Sequence, residues 1–154
     1  MILDDVCESH GCKNINGSRV GSNSLGATFS FYFGHHISTI EGGMICTDND
    51  DLYDLLRIKR SHGLARESGK FSYYKKMYPD ISEQYLFVTD GYNFRSHELC
   101  AVLGLSQLKR LDKHIKIRNQ NYRMFIDLIS NYPDKFEVPV FNSRCSNFCF
   151  FFFF

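Results

Sequence analysis

The sequence predicts an α/β fold, and three observations support that prediction. Short runs of β-forming residues at 28–33 and 44–47 precede segments in which apolar residues recur every three or four positions, the spacing of an amphipathic helix. Polar, glycine-bounded turns follow these runs, and α/β proteins bind ligands at such strand ends. The 154 residues suit one domain, and 18 basic against 17 acidic side chains provide no charged face for nucleic acid.

The first third of the chain is predicted to hold three short strands, at residues 1–3, 28–33 and 44–47. Asp4 and Asp5 follow the first strand at its carboxyl edge, where open α/β sheets collect ligands. Residues 6–10 continue toward a short helix or turn. The glycine- and serine-rich stretch 11–26 is predicted to be a loop.

A polar turn, residues 34–43, separates the second and third strands, and we call it the histidine turn. It carries the adjacent residues His35 and His36 and closes on an acidic residue and two glycines, Glu41 to Gly43. A rigid strand positions side chains at such a turn, while glycine lets a ligand approach the backbone. We therefore expect the histidine turn to lie in the functional site.

The rest of the chain is predicted to be largely helical. The residues 48–50 can cap a helix that runs to about Arg60 and stops at His62 and Gly63. Residues 64–90 are expected to form an exposed loop with tyrosine anchors. A second turn at 90–96 leads into two more amphipathic segments, the last at about 113–130, and prolines 133 and 139 bound a link into the terminal phenylalanine run.

Cysteine usage and the ends of the chain indicate the class of protein. Six cysteines occur without a CxxC pair, which is typical of reduced thiols in a cytoplasmic protein. No signal peptide and no apolar run of membrane-spanning length is visible, so a membrane partner is not expected. The first residues, MILDD, and the last, FCFFFFF, are largely apolar, and we expect a fragment truncated at both ends. The last run also fits a translated sequencing artefact.

Motifs in a fixed order carry a resemblance to a known family. They are Asp5, 21–22, 29–31, 41–43, 60–63, 91–95 and 103–108. In this order they resemble the sugar aminotransferases of the DegT/StrS group, which are fold-type I enzymes dependent on pyridoxal 5'-phosphate (PLP). The resemblance implies a partial large domain, an αβα sandwich, at 1–131, and a link with the first strand of a small domain at 132–154. It also implies a homodimer with a shared active site that acts on nucleotide-linked keto sugars.

The resemblance assigns four cofactor-binding residues. Asp5 matches the aspartate that pairs with the pyridine nitrogen and makes the cofactor an electron sink. Glu8 falls where the family has a polar residue near the ring, and Ser30 matches a serine that contacts the phosphate. Asn93 matches an asparagine that reaches the phosphate in the neighbouring subunit.

From the residues alone, each assignment has a plain structural alternative. Asp5 could be a strand-end carboxylate with Asp4 as its competitor, and Ser30 could be a strand serine that faces solvent. Asn93 and Arg95, which share one family motif, could be an ordinary turn asparagine and a surface arginine.

His35 departs from most of the family. Counting back six residues from Glu41 places His35 where aminotransferases have the lysine that binds the cofactor covalently, and the sequence holds no lysine between Asn14 and Arg57. Imidazole cannot replace that bond, but with an ordinary pKa of ~6.5 it can act as acid or base near neutral pH.

With histidine in place of lysine, the sequence resembles the deoxygenating branch of the family. This branch comprises the GDP-4-keto-6-deoxymannose 3-dehydratases of polysaccharide and lipopolysaccharide biosynthesis. In that branch a base acts on the pyridoxamine 5'-phosphate form of the cofactor, which glutamate regenerates, while the C3 hydroxyl of the sugar leaves. Two alternatives stay open: a sugar aminotransferase, and a non-catalytic or inactive truncated homologue in which His35 and His36 are structural.

The remaining candidates are weaker. His36 and His62 are candidate substrate or loop residues together with Arg95, although a helix stop also explains His62. His10, His97 and His114 are expected at the surface or in caps. A related branch uses an iron–sulfur cluster bound by cysteines after the first helix. Residues 61–74 contain no cysteine, so neither a cluster nor another metal site is expected.

Overall fold

The computed structural model describes residues 1–137, in which three strands are followed by four α-helices. These elements are β1 (Leu3–Asp5), β2 (Gly26–Ser30), β3 (Gly43–Cys46), α1 (Asp50–Arg60), α2 (Phe71–Met77), α3 (Glu98–Leu108) and α4 (Leu111–Ile129). The predicted link and small-domain strand lie mostly beyond residue 137, outside the described residues. Within the described part, no helix is both long and apolar enough to cross a bilayer.

The chain divides into two compact units. Unit 1 contains Met1–Cys46 and the chain from Glu98 onward, and unit 2 is Thr47–His97. Unit 1 holds a sheet with the order β1-β2-β3, in which β1 and β2 are parallel and β3 is antiparallel to β2. The register pairs Asp5 with Thr28 and Ser30 with Gly43.

The three predicted strands exist, with shifted ends. The first strand includes Asp5, because its residues pair with β2 as far as Thr28. The second strand ends at Ser30, three residues earlier than predicted, because the chain then turns: the Tyr32 amide donates to the Ser30 hydroxyl and the His35 amide to the Tyr32 carbonyl.

The buried core of unit 1 includes residues of β2, of the turns and of α4. Its buried apolar side chains include Val6, Ala27, Ile37, Leu111, Tyr122 and Ile129. The predicted apolar stripe of α4 is confirmed at Tyr122 and Ile129, which are both buried. By contrast, α3 leaves much of its apolar surface exposed, at Leu99, Val102, Leu105 and Leu108.

Unit 2 begins with the predicted capped helix. The Asn49 side chain accepts a hydrogen bond from the Leu52 amide at 2.8 Å, which satisfies one of the free amides at the start of α1. His62 lies just past the end of the helix in the left-handed region, with φ 62°, and Gly63 follows with φ 83°. The chain stops being helical where the sequence predicted.

The prediction of an exposed loop at 64–90 is wrong. The segment contains α2 and two short 3-10 helices, at Ala65–Glu67 and Glu83–Tyr85, and it buries Leu64, Ala65 and Leu86. Asp54 on α1 fixes it, because its carboxylate accepts from the Ser68 hydroxyl at 2.6 Å and the Gly69 amide at 2.7 Å. The many exposed tyrosines and lysines hide this small core in the sequence pattern.

Candidate active site

The ends of β1 and β2 place two polar side chains at one edge of the sheet. Asp5 is the last residue of β1 and Ser30 the last of β2, and the two strands are parallel. Because parallel strands present their carboxyl ends together, both side chains lie at the edge where α/β proteins bind ligands. The structure thus places both residues at this edge, and their roles in cofactor binding stay predictions.

Asp5 is exposed and lies in surroundings that favour its ionised form. Its carboxylate accepts from the Cys7 amide at 3.1 Å and from the Thr28 hydroxyl at 3.3 Å. Hydrogen bonds from the Cys7 side chain and amide hold the pKa of Asp5 below its ordinary value, and Thr28 and the charge of His35 act in the same direction. The group is therefore a carboxylate at neutral pH.

Ser30 presents a hydroxyl whose proton is available. The hydroxyl oxygen accepts from the Tyr32 amide at 3.3 Å, so its lone pair is used by the backbone. The O–H can then donate to an anion without adding charge to the site. Gly43, paired with Ser30, also comes close to the strand, because a Cβ there would lie 3.1 Å from the Phe29 carbonyl oxygen.

The histidine turn begins directly after β2 and is closed by backbone hydrogen bonds. The Phe31 amide donates to the Gly42 carbonyl and the Thr39 amide to the Phe31 carbonyl, both at 2.8 Å. Ile40 lies in the left-handed region with φ 75°, which is rare for a β-branched residue and marks a strained position. His35 is half-buried, with the Tyr32 ring edge-on at 5.8 Å between centroids.

His10 and His36 form a buried pair beneath the turn. They are 4% and 5% exposed, and their ring centroids lie 5.9 Å apart. The rings of Phe29 and Phe31 lie 5.7 and 5.8 Å from His10. Neither ring nitrogen of His10 has a hydrogen-bond partner among residues 1–137. The expectation that His10 lies at the surface or in a cap is wrong, because its buried ring packs against the rings of Phe29, Phe31 and His36.

Burial keeps both rings of this pair neutral. Desolvation lowers the pKa of His36 to about 4, with the charges of Arg118, His10 and His35 acting in the same direction. Desolvation, followed by the charge of His35, lowers the pKa of His10. His36 therefore supports the turn as a neutral buried ring, and its predicted role as a substrate or loop residue stays a prediction.

Helix α3 contacts the opposite side of the histidine turn. The Gln107 amide nitrogen donates to the Ser38 carbonyl at 2.5 Å, and the Gln107 amide oxygen accepts from the Ser38 amide at 3.0 Å. A Cβ at Gly104 would lie 3.2 Å from the Thr39 methyl group, so glycine allows the close approach. The sequence signal for Gln107 is its place in the motif 103–108, which the resemblance gave no role in the site.

The other predicted site residues lie elsewhere. Glu8 is half-buried in the turn that follows β1, three residues after Asp5. His62, Asn93 and Arg95 are exposed residues of unit 2. Their assignments rest on the sequence resemblance and stay predictions.

In unit 2, the segment that carries Asn93 is hydrogen-bonded to the residues that follow α1. Asn93 pairs with Ser61 in an isolated antiparallel bridge, and the His62 amide donates to the Tyr92 carbonyl at 2.7 Å. The Tyr92 and Phe94 rings stack on each other, with centroids 5.0 Å apart. Asn93 is thus held by its backbone neighbours, while its side chain lies exposed.

Within residues 1–137, no three side chains of histidine, cysteine, aspartate or glutamate are grouped so that they could hold a metal ion. No disulfide joins any two of the described cysteines, which are Cys7, Cys12, Cys46 and Cys100.

Comparison with known proteins identifies close relatives of the chain. A sequence profile of the DegT/DnrJ/EryC1/StrS aminotransferase family matches residues 1–153. GDP-4-keto-6-deoxy-D-mannose 3-dehydratase of Yersinia pseudotuberculosis is 40% identical over 135 residues, which are 86% of this chain and 34% of the relative. GDP-perosamine synthase of Caulobacter vibrioides is 33% identical over 120 residues, 78% of this chain and 28% of the relative.

A solved structure gives the same result. The E. coli GDP-4-keto-6-deoxy-D-mannose-3-dehydratase with bound hydrated PLP is similar with a TM-score of 0.70 at 34% identity, over 85% of this chain and 34% of that structure. The likeness confirms the predicted fold, a partial domain of the PLP aminotransferase type. The chain spans about a third of the length of the curated relatives it matches.

The residues at the strand ends fit PLP. Asp5 is an exposed carboxylate that can pair with a protonated pyridine nitrogen, and Ser30 offers a hydroxyl proton to a phosphate. His35 lies on the adjoining turn, close enough for its charge to act on the pKa of Asp5. These three side chains come from one sheet edge and the turn next to it.

Proposed function

Because the chain belongs to the DegT/DnrJ/EryC1/StrS aminotransferase family, we propose that it is part of a PLP-dependent enzyme that removes the C3 hydroxyl of a nucleotide-linked 4-keto-6-deoxyhexose. In this proposal His35 is the catalytic acid and base. Asp5, Glu8, Ser30 and Asn93 bind the cofactor. The 40% identity to a GDP-4-keto-6-deoxy-D-mannose 3-dehydratase favours a GDP-linked sugar.

One observation carries the proposal: His35 stands on the turn beside Asp5 and Ser30, at the position where aminotransferases of this family have lysine. The charge of His35 is the smallest of the influences that lower the pKa of the Asp5 carboxyl, so the two side chains lie near enough to interact. A half-buried imidazole can exchange a proton with a bound molecule and with solvent. The chain offers no amine at this position to hold a cofactor covalently.

The chemistry divides between the cofactor and the protein. When bound, the pyridoxamine 5'-phosphate form of the cofactor would supply an electron sink. Asp5 stabilises the protonated pyridine nitrogen, because its own low pKa keeps it ionised. Ser30 donates its hydroxyl proton to the phosphate. The neutral imidazole of His35 accepts a proton on a ring nitrogen and can return it to the departing C3 oxygen, which leaves as water.

The same proposal includes the partners and the setting. Glutamate is the amino donor, and the enzyme is a homodimer in which Asn93 reaches the phosphate of the neighbouring subunit. Residues 1–131 belong to the large domain and 132–154 to the link and first strand of a small domain. No iron–sulfur cluster takes part, which the lack of cysteine at 61–74 supports. The proposal places the enzyme in the cytoplasm, which the lack of a CxxC pair supports, and assigns it to polysaccharide biosynthesis on the sequence resemblance.

A sugar aminotransferase is the second candidate. The 33% identity to a GDP-perosamine synthase favours it, and Asp5, Ser30 and Asn93 suit both reactions. Only His35 argues against it, because return of an amino group from cofactor to sugar relies on the lysine in that family. A non-catalytic homologue remains the third candidate.

Covalent trapping tests the role of His35 directly. The protein that contains this chain is loaded with PLP, reduced with borohydride and analysed by mass spectrometry. We expect no phosphopyridoxyl group on the polypeptide, whereas the His35→Lys variant should carry one on Lys at that position, together with the absorbance of a covalently bound cofactor. His97→Lys, at an exposed site far along the sequence, is the control for nonspecific labelling. A wild-type lysine adduct would contradict the assignment.

A product assay then separates the three candidates. The protein receives glutamate, PLP and a GDP-linked 4-keto-6-deoxyhexose, and the sugar is identified by mass spectrometry and NMR. A 3-deoxy keto sugar is the expected product. A 4-amino sugar would favour the aminotransferase, and no turnover with an intact cofactor spectrum would favour the non-catalytic homologue.

A further inference from the structure

We propose that Gln107 is a positioning residue that holds the histidine turn, and with it His35, in the geometry needed for proton transfer. The inference rests on the role proposed above for His35. Gln107 lies on α3, 69 residues from Ser38 in sequence. The family resemblance assigned no function to this residue.

The contact satisfies both backbone groups of one turn residue. The Gln107 amide nitrogen donates to the Ser38 carbonyl at 2.5 Å and its oxygen accepts from the Ser38 amide at 3.0 Å. A planar carboxamide is the neutral side chain group that offers one donor and one acceptor side by side, as a backbone peptide does. Both residues are half-buried, so water competes poorly for these two bonds.

A second contact shows that the helix docks on the turn at adjacent residues. Gly104 precedes Gln107 by three residues and therefore shares its helix face. A Cβ at Gly104 would lie 3.2 Å from the Thr39 methyl group, so the helix backbone lies close to the residue after Ser38. The helix thus approaches the turn at Ser38 and Thr39 together.

The turn transmits this anchor to His35 through its own hydrogen bonds. The Thr39 amide donates to the Phe31 carbonyl at 2.8 Å, and the His35 amide donates to the Tyr32 carbonyl at 3.0 Å. His35 lies within the loop that the bond between Thr39 and Phe31 closes. A shift of Ser38 or Thr39 therefore moves the backbone of His35, while Asp5 and Ser30, on the strands, keep their positions.

This separation predicts a specific kinetic pattern. Loss of the anchor should slow the step that His35 performs and leave cofactor binding, which depends on the strands, intact. A misplacement of about 1 Å in a reacting group can cost on the order of 100-fold in rate. A purely structural role would instead lower stability and cofactor affinity together.

The experiment uses full-length protein with three substitutions of Gln107 and one matched control. Gln107→Met keeps the length of the side chain and removes both hydrogen bonds. Gln107→Asn keeps the amide on a shorter stem. Gln107→Glu removes the donor while its carboxyl is ionised and restores it when protonated. Gln120→Met is the control, because Gln120 is an exposed residue of α4.

Three measurements decide the proposal: amide hydrogen exchange at residues 34–43, the ring NMR signals of His35 in the cofactor-free protein, and kcat with KM and the PLP Kd. For Gln107→Met we expect faster exchange at Ser38, changed His35 ring signals, and a kcat lower by about 10- to 100-fold with Kd within about twofold. Gln107→Asn should behave in the same way, and Gln120→Met as wild type. Gln107→Glu should regain kcat relative to wild type as the pH falls, because a protonated carboxyl can make both bonds.

Unchanged exchange at Ser38 or unchanged His35 signals in Gln107→Met would overturn the proposal. So would a kcat within about twofold of wild type, or a parallel loss of kcat and PLP affinity, which would mark a structural residue only. If the wild-type protein turns over no keto sugar, the proposed function fails by itself. Exchange and NMR then still decide whether Gln107 positions His35.

Discussion

Acid should destabilise the protein through His36, because folding places that ring where it cannot accept a proton. Its pKa is about 4 in the folded state against an ordinary 6.5, chiefly because of burial and then because of Arg118, His10 and His35. Above pH 6.5 the ring is neutral in both the folded and unfolded states, so it does not change the free energy of unfolding with pH. Below 6.5 the unfolded chain binds a proton that the folded state accepts only near pH 4. Stability is therefore lost as the pH falls through this window.

The size of the effect follows from the two pKa values. Each pKa unit corresponds to about 1.4 kcal/mol. The two pKa values of His36 therefore imply that the free energy of unfolding falls by about 3 kcal/mol by pH 4, and by about 2 to 3 kcal/mol at pH 4.5. His10, whose pKa is also lowered by burial, adds to the loss in the same window. Such a loss is a large part of the total stability of an ordinary domain.

Urea unfolding of the cofactor-free protein at pH 7.5 and 4.5 measures this loss of unfolding free energy. We expect His36→Gln, which cannot titrate, to reduce the loss of unfolding free energy between the two pH values by about 2 to 3 kcal/mol relative to wild type. His97→Gln, at an exposed position, serves as the matched control. An equal loss in wild type and His36→Gln would show that His36 can accept a proton in the folded state, and the buried neutral pair would be refuted.

Two further predictions concern unit 2. Asn49→Ala removes the acceptor for the Leu52 amide at the start of α1, so the free energy of unfolding should fall by about 1 kcal/mol in urea titrations, and an unchanged midpoint would contradict the cap. Gly63→Ala should lower the melting temperature far more than Gly69→Ala. Gly63 has φ 83° and a Cβ there would overlap the Thr89 carbonyl oxygen, whereas a Cβ at Gly69 would make only an ordinary contact. Equal melting temperatures would show that the backbone around Gly63 and Thr89 can move apart without loss of stability.

Local chemistry made part of the fold predictable from sequence. The ends of β1 and β2 differ from the prediction by two and three residues, but short β-forming runs predicted the strands that hold Asp5 and Ser30. The same holds for Asn49, because the residues 48–50 carry the cap themselves. The sequence resemblance added the register, which placed His35 six residues before Glu41.

Contacts between distant segments were not predictable in this way. His10 is buried because Phe29, Phe31 and His36 surround it, and nothing in its own neighbourhood marks it as interior. Gln107 binds a residue 69 positions away. The prediction for residues 64–90 was wrong for a related reason. The structure of this segment depends on Asp54 from the preceding helix and on a few buried residues among many exposed aromatic ones.

The way the histidine turn is anchored bears on how one family can run two reactions. The groups that fix the turn are backbone groups of Phe31, Ser38 and Thr39 and the side chain of Gln107. None of these bonds uses the side chain of residue 35. A lysine there could therefore occupy the same backbone, so the reaction type would depend on one side chain rather than on a rearranged site. His35→Lys tests this directly: if the covalent adduct forms, the turn already has the backbone geometry that a cofactor-binding lysine needs.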